Sequence, residues 1–363
     1  MEPIIEPVSR SLLLAELTPE CKVRNTNKAS NEIYIFDAAE CPSLLREIGR
    51  LREVAFRSAG GGTGLAVDID EEDLAGDGYY QLIVWDPAEQ EIVGGYRFIV
   101  CTSENPRHLS TEHYFTFSDK FRKEYLPYTI ELGRSFVQPS YQSRGNSKSI
   151  YALDNLWDVW GAVVLNPKVK YLFGKVTMYA SYKAMARNAL IWFLRRYFPD
   201  PDHLVAGKNP VQLDLDDPYY EHFFTGKTYE ENYRILIQRI REFNENIPPL
   251  INAYMNLSPT MRVFDTVINT DFGGVEETGI LLTIPDIYPE KKQRYMRWQG
   301  GVKTSSSAGN ISASACRSIS RVSGKDGKCS RAGFSRVGCL ILIKLRLFGV
   351  IFLFMDAEFL EKL

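Results

Sequence analysis

The chain has 363 residues, of which 45% are hydrophobic and 24% are charged. This composition is that of a soluble globular protein with one large domain or two ordinary ones. The formal net charge is −2, but residues 299–363 carry 10 Lys/Arg and 4 Asp/Glu, so the preceding residues carry a net charge of −8. An acidic body of this kind argues against nucleic acid as the main partner, and we predict none.

The cysteines, the histidines and the N-terminus predict a cytoplasmic chain without a metal site. The six cysteines include no C-x-x-C pair, and the four histidines show no metal-ligand spacing. This is typical of reduced thiols rather than of a disulfide framework or a zinc site. The opening MEPIIEPVSR lacks the basic region and the apolar run of a signal peptide.

The first 42 residues predict an irregular arm with one short strand, EIYIFDA. Ser43 is a candidate helix cap, because apolar residues follow it at helical spacing. These apolar residues are Leu44, Ile48, Leu51 and Ala55. Arg52 and Phe56 lie near the end of this helix, and a flexible GGGTG loop and an acidic loop, VDIDEEDLAGDG, come next.

Alternating strands and helices follow the acidic loop and predict an α/β fold with a mixed sheet. YQLIVWD and EIVGGYRFIVC predict a hairpin, and YTIELGRSFVQ predicts a third long strand. A helix capped by Asn146 or Ser147, a strand KYLFGKVTMYA and a buried helix YKAMARNALIWFLRRYF come next. Further on, Thr228 and Glu231 predict a capping box before an amphipathic helix.

The third strand contains Glu131 and Arg134, three residues apart. A regular strand sends two such side chains to opposite faces of the sheet. If both serve one site, the strand must be irregular, and a bulge is easiest at Gly133, because glycine adopts the backbone angles that bulges require.

The residues after 298 differ from the rest of the chain. Serine makes up 10 of the 32 residues from 304 to 335, and CLILIKLRLFGVIFLFM follows, interrupted by Lys344 and Arg346. This apolar run is short for a bilayer span and carries two charges. We therefore predict that 299–363 is an atypical tail, disordered or a non-native extension, and a membrane anchor is the alternative.

Several of these residues together resemble one family. Arg52-x3-Phe56, Asp70-x2-Asp73, the GGYR motif with Arg97, and Glu131-x2-Arg134 follow one another along the chain; their order and spacing resemble the acyl-homoserine-lactone synthases, a branch of the GNAT N-acyltransferase superfamily. The resemblance is closer to the hemolysin-like branch, which includes ornithine and glycine acyl-ACP N-acyltransferases, and it spans roughly residues 43 to 288.

The resemblance implies a GNAT-like three-layer α/β fold. It predicts an N-terminal arm at 1–42, a GNAT acyltransferase core at 43–200, and a C-terminal part at 201–298 that completes or covers the core. Two places depart from the family. SAGGGTG stands where the synthases have a tryptophan, and the segment from Gln142 to Ser147 keeps only part of the family's phosphate loop.

Three catalytic residues follow from the resemblance. Glu131 would position the acceptor amine and relay its proton, and the alternative is a structural ion pair. A backbone N–H at Gly133 would meet the thioester carbonyl oxygen. Arg134 would hold an amino-acid carboxylate by forked hydrogen bonds, or would instead hold the acidic loop in place.

Five further residues are predicted to bind the amino acid whose amine accepts the acyl group. Arg97 would share the carboxylate with Arg134. Asp70 and Asp73 would pair with Arg52 and shape the pocket beside Phe56, and the alternative for the aspartates is a solvated acidic loop.

The donor phosphate has its own predicted residues, Gln142, Arg144, Gly145 and Ser147. They precede a predicted helix N-terminus, where backbone N–H groups and the helix dipole favour an anion. The alternative is an ordinary polar turn.

The function implied is transfer of a long, 3-hydroxylated acyl chain from acyl carrier protein to the amine of a small amino acid of the glycine or ornithine type. This is a step of aminolipid biosynthesis. No cofactor is expected to be bound; acyl carrier protein or coenzyme A brings the acyl group as a co-substrate. Peripheral contact with the inner membrane follows from an amphiphilic product. The alternatives are a short-chain acetyltransferase that uses coenzyme A and a hemolysin-like membrane-active protein.

Overall fold

The computed structural model describes most of the chain before residue 292, and all structural statements below concern these residues. They are 1–75, 78–101, 108–142, 151–152, 155, 169–213, 215 and 217–291. The predicted tail at 299–363 and nearly all of the predicted helix after Asn146 lie outside them.

Eight strands of the described residues form one sheet, which is mixed, as predicted. In spatial order they are β1 (Lys22–Asn25), β2 (Glu32–Asp37), β3 (Tyr80–Asp86), β4 (Glu91–Val100), β6 (Thr129–Val137), β7 (Tyr171–Met178), β10 (Val275–Thr283) and β9 (Arg262–Asn269). Among these described strands, only β6 and β7 pair in parallel. A separate ribbon pairs β5 (Phe115–Phe117) with β8 (Val205–Gly207). The division into domains at residues 42, 200 and 298 stays a prediction.

Helices cover both faces of the sheet. In the described ranges they are α1 (Arg10–Glu16), α2 (Pro42–Ala59), α3 (Glu71–Leu74), α4 (Ala184–Tyr197), α5 (Asp217–Phe223), α6 (Tyr229–Glu242) and α7 (Pro249–Met255). On one face, α4, α6 and α7 pack on alternate strand residues such as Leu82 and Val176. On the other face, α2 packs on the intervening residues, such as Ile83 and Trp85. The two-residue period of the strands thus divides the core into two layers.

The N-terminal arm is more ordered than predicted, and the predicted cap of α2 at Ser43 is wrong. The cap position is Cys41, and Pro42 occupies the first turn, where proline is well tolerated. The carboxylate of Glu16, at the end of α1, accepts from the backbone N–H groups of Ser43 at 2.9 Å and Leu44 at 2.8 Å. A distant carboxylate therefore satisfies the free donors that a local serine was expected to satisfy.

Strand β6 is irregular, but its bulge is not at Gly133. The pairing of β4 with β6 shifts by one residue between Gly95 and Arg97, so two β6 residues, Arg134 and Ser135, stand opposite one residue of β4. Arg134 has a φ of 52°, a left-handed conformation that is strained for a residue other than glycine. The contacts of its side chain must therefore stabilise the bulge.

The sheet opens beside this bulge. The parallel pairing of β6 with β7 ends where Leu132 stands opposite Gly174. Beyond that point β6 continues to Val137 and β7 to Met178, each paired with its other neighbour. We call the space between these two unpaired edges the cleft.

No helix within the described ranges is long and apolar enough to cross a membrane.

Candidate active site

Polar and charged side chains cross the α2 face of the sheet between two apolar clusters and reach the cleft. One cluster surrounds α2, and the other surrounds β5 and β8. We call these side chains the polar belt: Arg52, Asp68, Asp70, Asp73, Tyr79, Gln81, Arg97, Glu131, Arg134, Lys175, Asn269 and Glu277. Most are buried, so each needs a partner within the protein.

Arg52, on α2, takes part in a group of three side chains that all hydrogen-bond to one another. Its Nη1 donates to Asp73 Oδ2 at 2.9 Å, and its Nη2 donates to Gln81 Oε1 at 2.7 Å. Gln81 Nε2 donates in turn to Asp73 Oδ1 at 2.8 Å. All three side chains are buried. Of the two predicted partners of Arg52, the structure thus confirms Asp73, whereas Asp70 pairs with Arg97 and Arg134 instead. The contacts of Arg52 fix α2, α3 and β3 relative to one another.

The predicted acidic loop is a short helix, α3, with Asp70 as its N-cap. Asp70 Oδ1 accepts from the N–H of Asp73 at 3.0 Å, and the Asp73 carboxylate accepts from the N–H of Asp70 at 3.3 Å. The other contacts of Asp70 are to Arg97 and to Arg134 Nη2, the latter at 3.2 Å. Burial opposes the ionised form, yet the guanidinium of Arg97 and that of Arg134 hold the pKa of Asp70 well below its ordinary value.

Asp70→Asn tests this ion cluster. Because the folded-state pKa of Asp70 is depressed, its stabilisation is complete above its ordinary value of 3.8 and is lost as the pH falls below it. Asparagine still caps α3, so the variant removes only the charge. We expect the free energy of unfolding to fall by about 1–3 kcal/mol at pH 7. Urea unfolding between pH 3 and pH 7 measures this difference, which should shrink below about pH 4.

Asp119→Asn is the matched control, because Asp119 is 89% exposed. We expect a change within about 0.5 kcal/mol at every pH. A deficit of Asp70→Asn that stays constant down to pH 3 would contradict the depressed pKa.

Arg97 and Arg134 differ in how far solvent reaches them. The Arg97 side chain is 2% exposed, contacts Asp70 and Asp73, and lies over the Tyr79 ring at 4.7 Å. The Arg134 side chain is 17% exposed. Of the two predicted carboxylate-binding arginines, only Arg134 is open to a ligand, and the aspartates already enclose Arg97.

The side chain of Arg134 is held from two sides. Its Nε donates to Asp68 Oδ1 at 3.0 Å, and its guanidinium lies 4.9 Å from the centre of the Phe272 ring. Phe272 packs edge-on against Phe56, with ring centres 5.0 Å apart. These contacts explain the strained backbone at Arg134, and they make Phe56 the support beneath the Phe272 ring that contacts Arg134.

Glu131 is fully buried and, within the described residues, forms an ion pair with neither Arg97 nor Arg134. Its Oε1 accepts from the N–H of Thr111 at 3.0 Å, and its Oε2 accepts from the N–H of Ser110 at 3.2 Å and from the Tyr79 hydroxyl. Burial raises the pKa of Glu131, although these hydrogen bonds and Arg97 act in the opposite direction. The carboxylate therefore fixes Tyr79 and the Ser110 turn.

A second group, on the β7 side of the cleft, was not predicted. Lys175 Nζ pairs with Glu277 and lies 4.5 Å from the centre of the Tyr114 ring. Asn269 Nδ2 donates to Glu277 at 3.1 Å, and the Tyr114 hydroxyl donates to Asn269 at 3.0 Å. Burial, together with the carboxylate of Glu277, raises the pKa of Tyr114 to about 12. The signal in the sequence was a single lysine within an otherwise apolar strand, YLFGKVTM.

The predicted donor phosphate site falls mostly outside the described residues. Arg144, Gly145 and Ser147 lie there, and Gln142 donates to the carbonyl of Val137. The phosphate site therefore stays a prediction. Within the described ranges, no group of three histidine, cysteine or carboxylate side chains could hold a metal ion.

The SAGGGTG loop, which replaces the synthases' tryptophan, is tied to α2. Glu53 is buried and accepts from the N–H groups of Thr63 at 3.0 Å and Gly64 at 2.8 Å, and it pairs with Arg57. The loop thus closes against the helix that carries Arg52 and Phe56.

Comparison with known proteins identifies the family. Residues 51–152 match the family model of the acetyltransferase (GNAT) domain. A glycine N(alpha)-acyltransferase of Bacteroides thetaiotaomicron is 52% identical over 304 residues, which cover 82% of this chain and 90% of that protein. Another, of Phocaeicola vulgatus, is 50% identical over 303 residues, which cover 82% of this chain and 93% of that protein. The chain belongs to the GNAT acyltransferase family.

Two solved structures also resemble this GNAT acyltransferase. The acyl-homoserine-lactone synthase LasI is 18% identical, covers 40% of this chain and 71% of its own, and has a TM-score of 0.27. The CoA-dependent synthase MesI is 10% identical, covers 83% of this chain and 100% of its own, and has a TM-score of 0.28. The sequence relatives, and not these superpositions, establish the family. The predicted GNAT-like α/β fold and the predicted acyltransferase class are confirmed.

Proposed function

We propose that this GNAT acyltransferase moves a long, 3-hydroxylated acyl chain from acyl carrier protein to the amine of glycine. The observation that carries the proposal is the cleft, which opens beside the bulge at Arg134 and places a partly exposed guanidinium at its β6 edge. The names of the relatives support glycine as the acceptor. The carrier protein and the 3-hydroxy group come from the resemblance described above.

The cleft suits a thioester. Beyond Leu132 the β6 backbone has no β7 partner, so the backbone N–H and C=O groups that point towards β7 make no hydrogen bonds to that strand. A backbone N–H of this segment, at or next to Gly133, is our candidate donor to the carbonyl oxygen, where negative charge develops in acyl transfer. The bulge turns this segment away from the regular ladder.

The acceptor amino acid would lie beside the thioester with its carboxylate on Arg134. A planar guanidinium suits a carboxylate because it donates two parallel hydrogen bonds. Asp68 and Asp70 would then hold Arg134 in place, with Arg97 holding Asp70, and none of the three would contact the substrate. Glu131 would act through Tyr79 and the Ser110 turn, as a positioning residue.

The product would be an N-acylated amino acid with one apolar chain and one charged end. Such a molecule partitions into lipid. We therefore include a role in aminolipid biosynthesis and peripheral contact with the inner membrane in the proposal. The segments LIWFLRRYF and PPLINAYMNL both contribute side chains to the apolar cluster around α4, and they would either line a tunnel for the acyl chain or form core.

Mass spectrometry of the reaction products tests the proposal. The full chain is incubated with 3-hydroxyacyl carrier protein and a mixture of amino acids, and we expect N-(3-hydroxyacyl)glycine. A protein that makes no such product but acetylates amines with acetyl-coenzyme A would belong to the short-chain alternative. Lysis of erythrocytes by the purified protein without any acyl donor would favour the membrane-active alternative.

A further inference from the structure

Lys175 and Arg134 stand on the two edges of the cleft. Lys175 is the first residue of β7 beyond Gly174, the last β7 residue to pair with β6. Arg134 forms the bulge on the β6 edge. Their side chains are 12% and 17% exposed, respectively, so solvent reaches both.

Both cations retain hydrogen-bonding capacity. An ammonium has three N–H groups, and within the described residues Lys175 Nζ has one carboxylate partner, Glu277. Arg134 donates from Nε and Nη2, and its Nη1 makes no hydrogen bond to the described part of the chain. Arg52 and Arg97 each have an Nε without a partner in the described residues, but they are only 0% and 2% exposed, so a ligand does not reach them from solvent.

The two positive charges also act on each other. Burial lowers the pKa of Lys175, and the positive charge of Arg134 lowers it further, although Glu277 acts in the opposite direction. Two like charges on facing edges of a cleft repel each other, and a bound anion relieves that repulsion. An α-amino acid brings one such anion, its carboxylate, to within two bonds of the amine nitrogen.

We propose that Lys175 and Arg134 together bind the carboxylate of the acceptor, and that Lys175 thereby selects free α-amino acids over amines without a carboxylate. Glu277, held by Asn269, positions the lysine ammonium. This inference rests on the proposed acylation of glycine, to which it adds a second binding group and a basis for specificity.

Steady-state kinetics of the full chain tests the inference with Lys175→Met/Glu277→Gln. The double variant is used because Lys175→Met alone would leave the buried Glu277 carboxylate without its cation. We expect the KM for glycine to rise about 10- to 100-fold, since one charge-assisted contact is lost. The kcat and the KM for the acyl donor should stay within about threefold. The preference for glycine over glycinamide should fall by the same factor as the affinity for glycine.

Two single variants complete the experiment. Lys175→Arg keeps the charge and should keep most of the glycine affinity. Lys170→Met should change nothing, because Lys170 is exposed, precedes β7 and lies over the Tyr128 ring. An unchanged KM for glycine in the double variant would overturn the inference. So would a lower kcat at constant KM, which would place Lys175 in the chemical step. Failure of the proposed function would show differently, as a wild-type protein that makes no N-acylglycine.

Discussion

Arg52→Met will lower the free energy of unfolding by about 3–5 kcal/mol, the usual cost of leaving a buried charge without its partner. Arg52 is completely buried and contacts Asp73 and Gln81, which contact each other. Methionine fills similar space but leaves the Asp73 carboxylate with one cation, Arg97, at 3.1 Å. Urea unfolding at pH 7 measures the loss.

Two further variants show whether the lost charge causes this effect. Arg46→Met changes an exposed arginine of the same helix and should cost less than about 0.5 kcal/mol. Adding Asp73→Asn to Arg52→Met should recover part of the loss, because it removes the uncompensated charge. A loss below about 1 kcal/mol for Arg52→Met would mean that this buried set of contacts does not stabilise the protein.

Glu131→Gln will lower kcat/KM for glycine by about 100-fold, a typical effect of a small displacement of a positioned group. The amide replaces one of the two acceptor oxygens by an NH₂ donor, so either the Tyr79 hydroxyl and the Ser110 N–H or the Thr111 N–H loses its acceptor, and Tyr79 and the Ser110 turn shift in consequence. If Glu131 acts by holding Tyr79, then Tyr79→Phe should give a similar loss, and the double variant should be no worse than either single one. Steady-state kinetics of the three variants with the acyl donor saturating measures this.

The pH profile of kcat/KM separates a positioning role from proton transfer. A positioning role leaves the ionisations that control the rate in place, so Glu131→Gln should keep the shape of the wild-type profile at a lower level. Loss of the acidic limb in Glu131→Gln, with the limb retained in Tyr79→Phe, would instead make Glu131 the proton acceptor.

The sequence determined the central elements of the fold and their order, but not α1, β1 or the β5–β8 ribbon. Two apolar runs separated by a short polar turn predicted the β3–β4 hairpin, and helical spacing predicted α2. Thr228 caps α6 as predicted, accepting from the N–H of Glu231 at 3.2 Å, but the predicted capping box is only half formed, because Glu231 accepts from the N–H of Lys227 instead of that of Thr228. These signals are local, because each pattern is made by residues only a few positions apart in the chain. The mixed α/β class follows from their order.

Sequence motifs predicted half of the members of the polar belt, but not how they pair. Motif spacing selected Glu131 and Arg97 but did not show their partners. Tyr79 and two backbone N–H groups surround Glu131, and two aspartates contact Arg97. The partner residues of Glu131 lie 20 to 52 positions away in the chain. No local pattern records which of several nearby charges will meet.

Only the tertiary structure decided the bulge, the cleft and the lysine site. The local rule placed the bulge at Gly133, yet Asp68, Asp70 and Phe272 hold the strained residue at Arg134. Lys175 and its partner Glu277 are 102 residues apart. A strand pattern reports which side chains are buried, but where two strands stop pairing depends on the distant segments packed against them. The cleft therefore exists only in the assembled sheet.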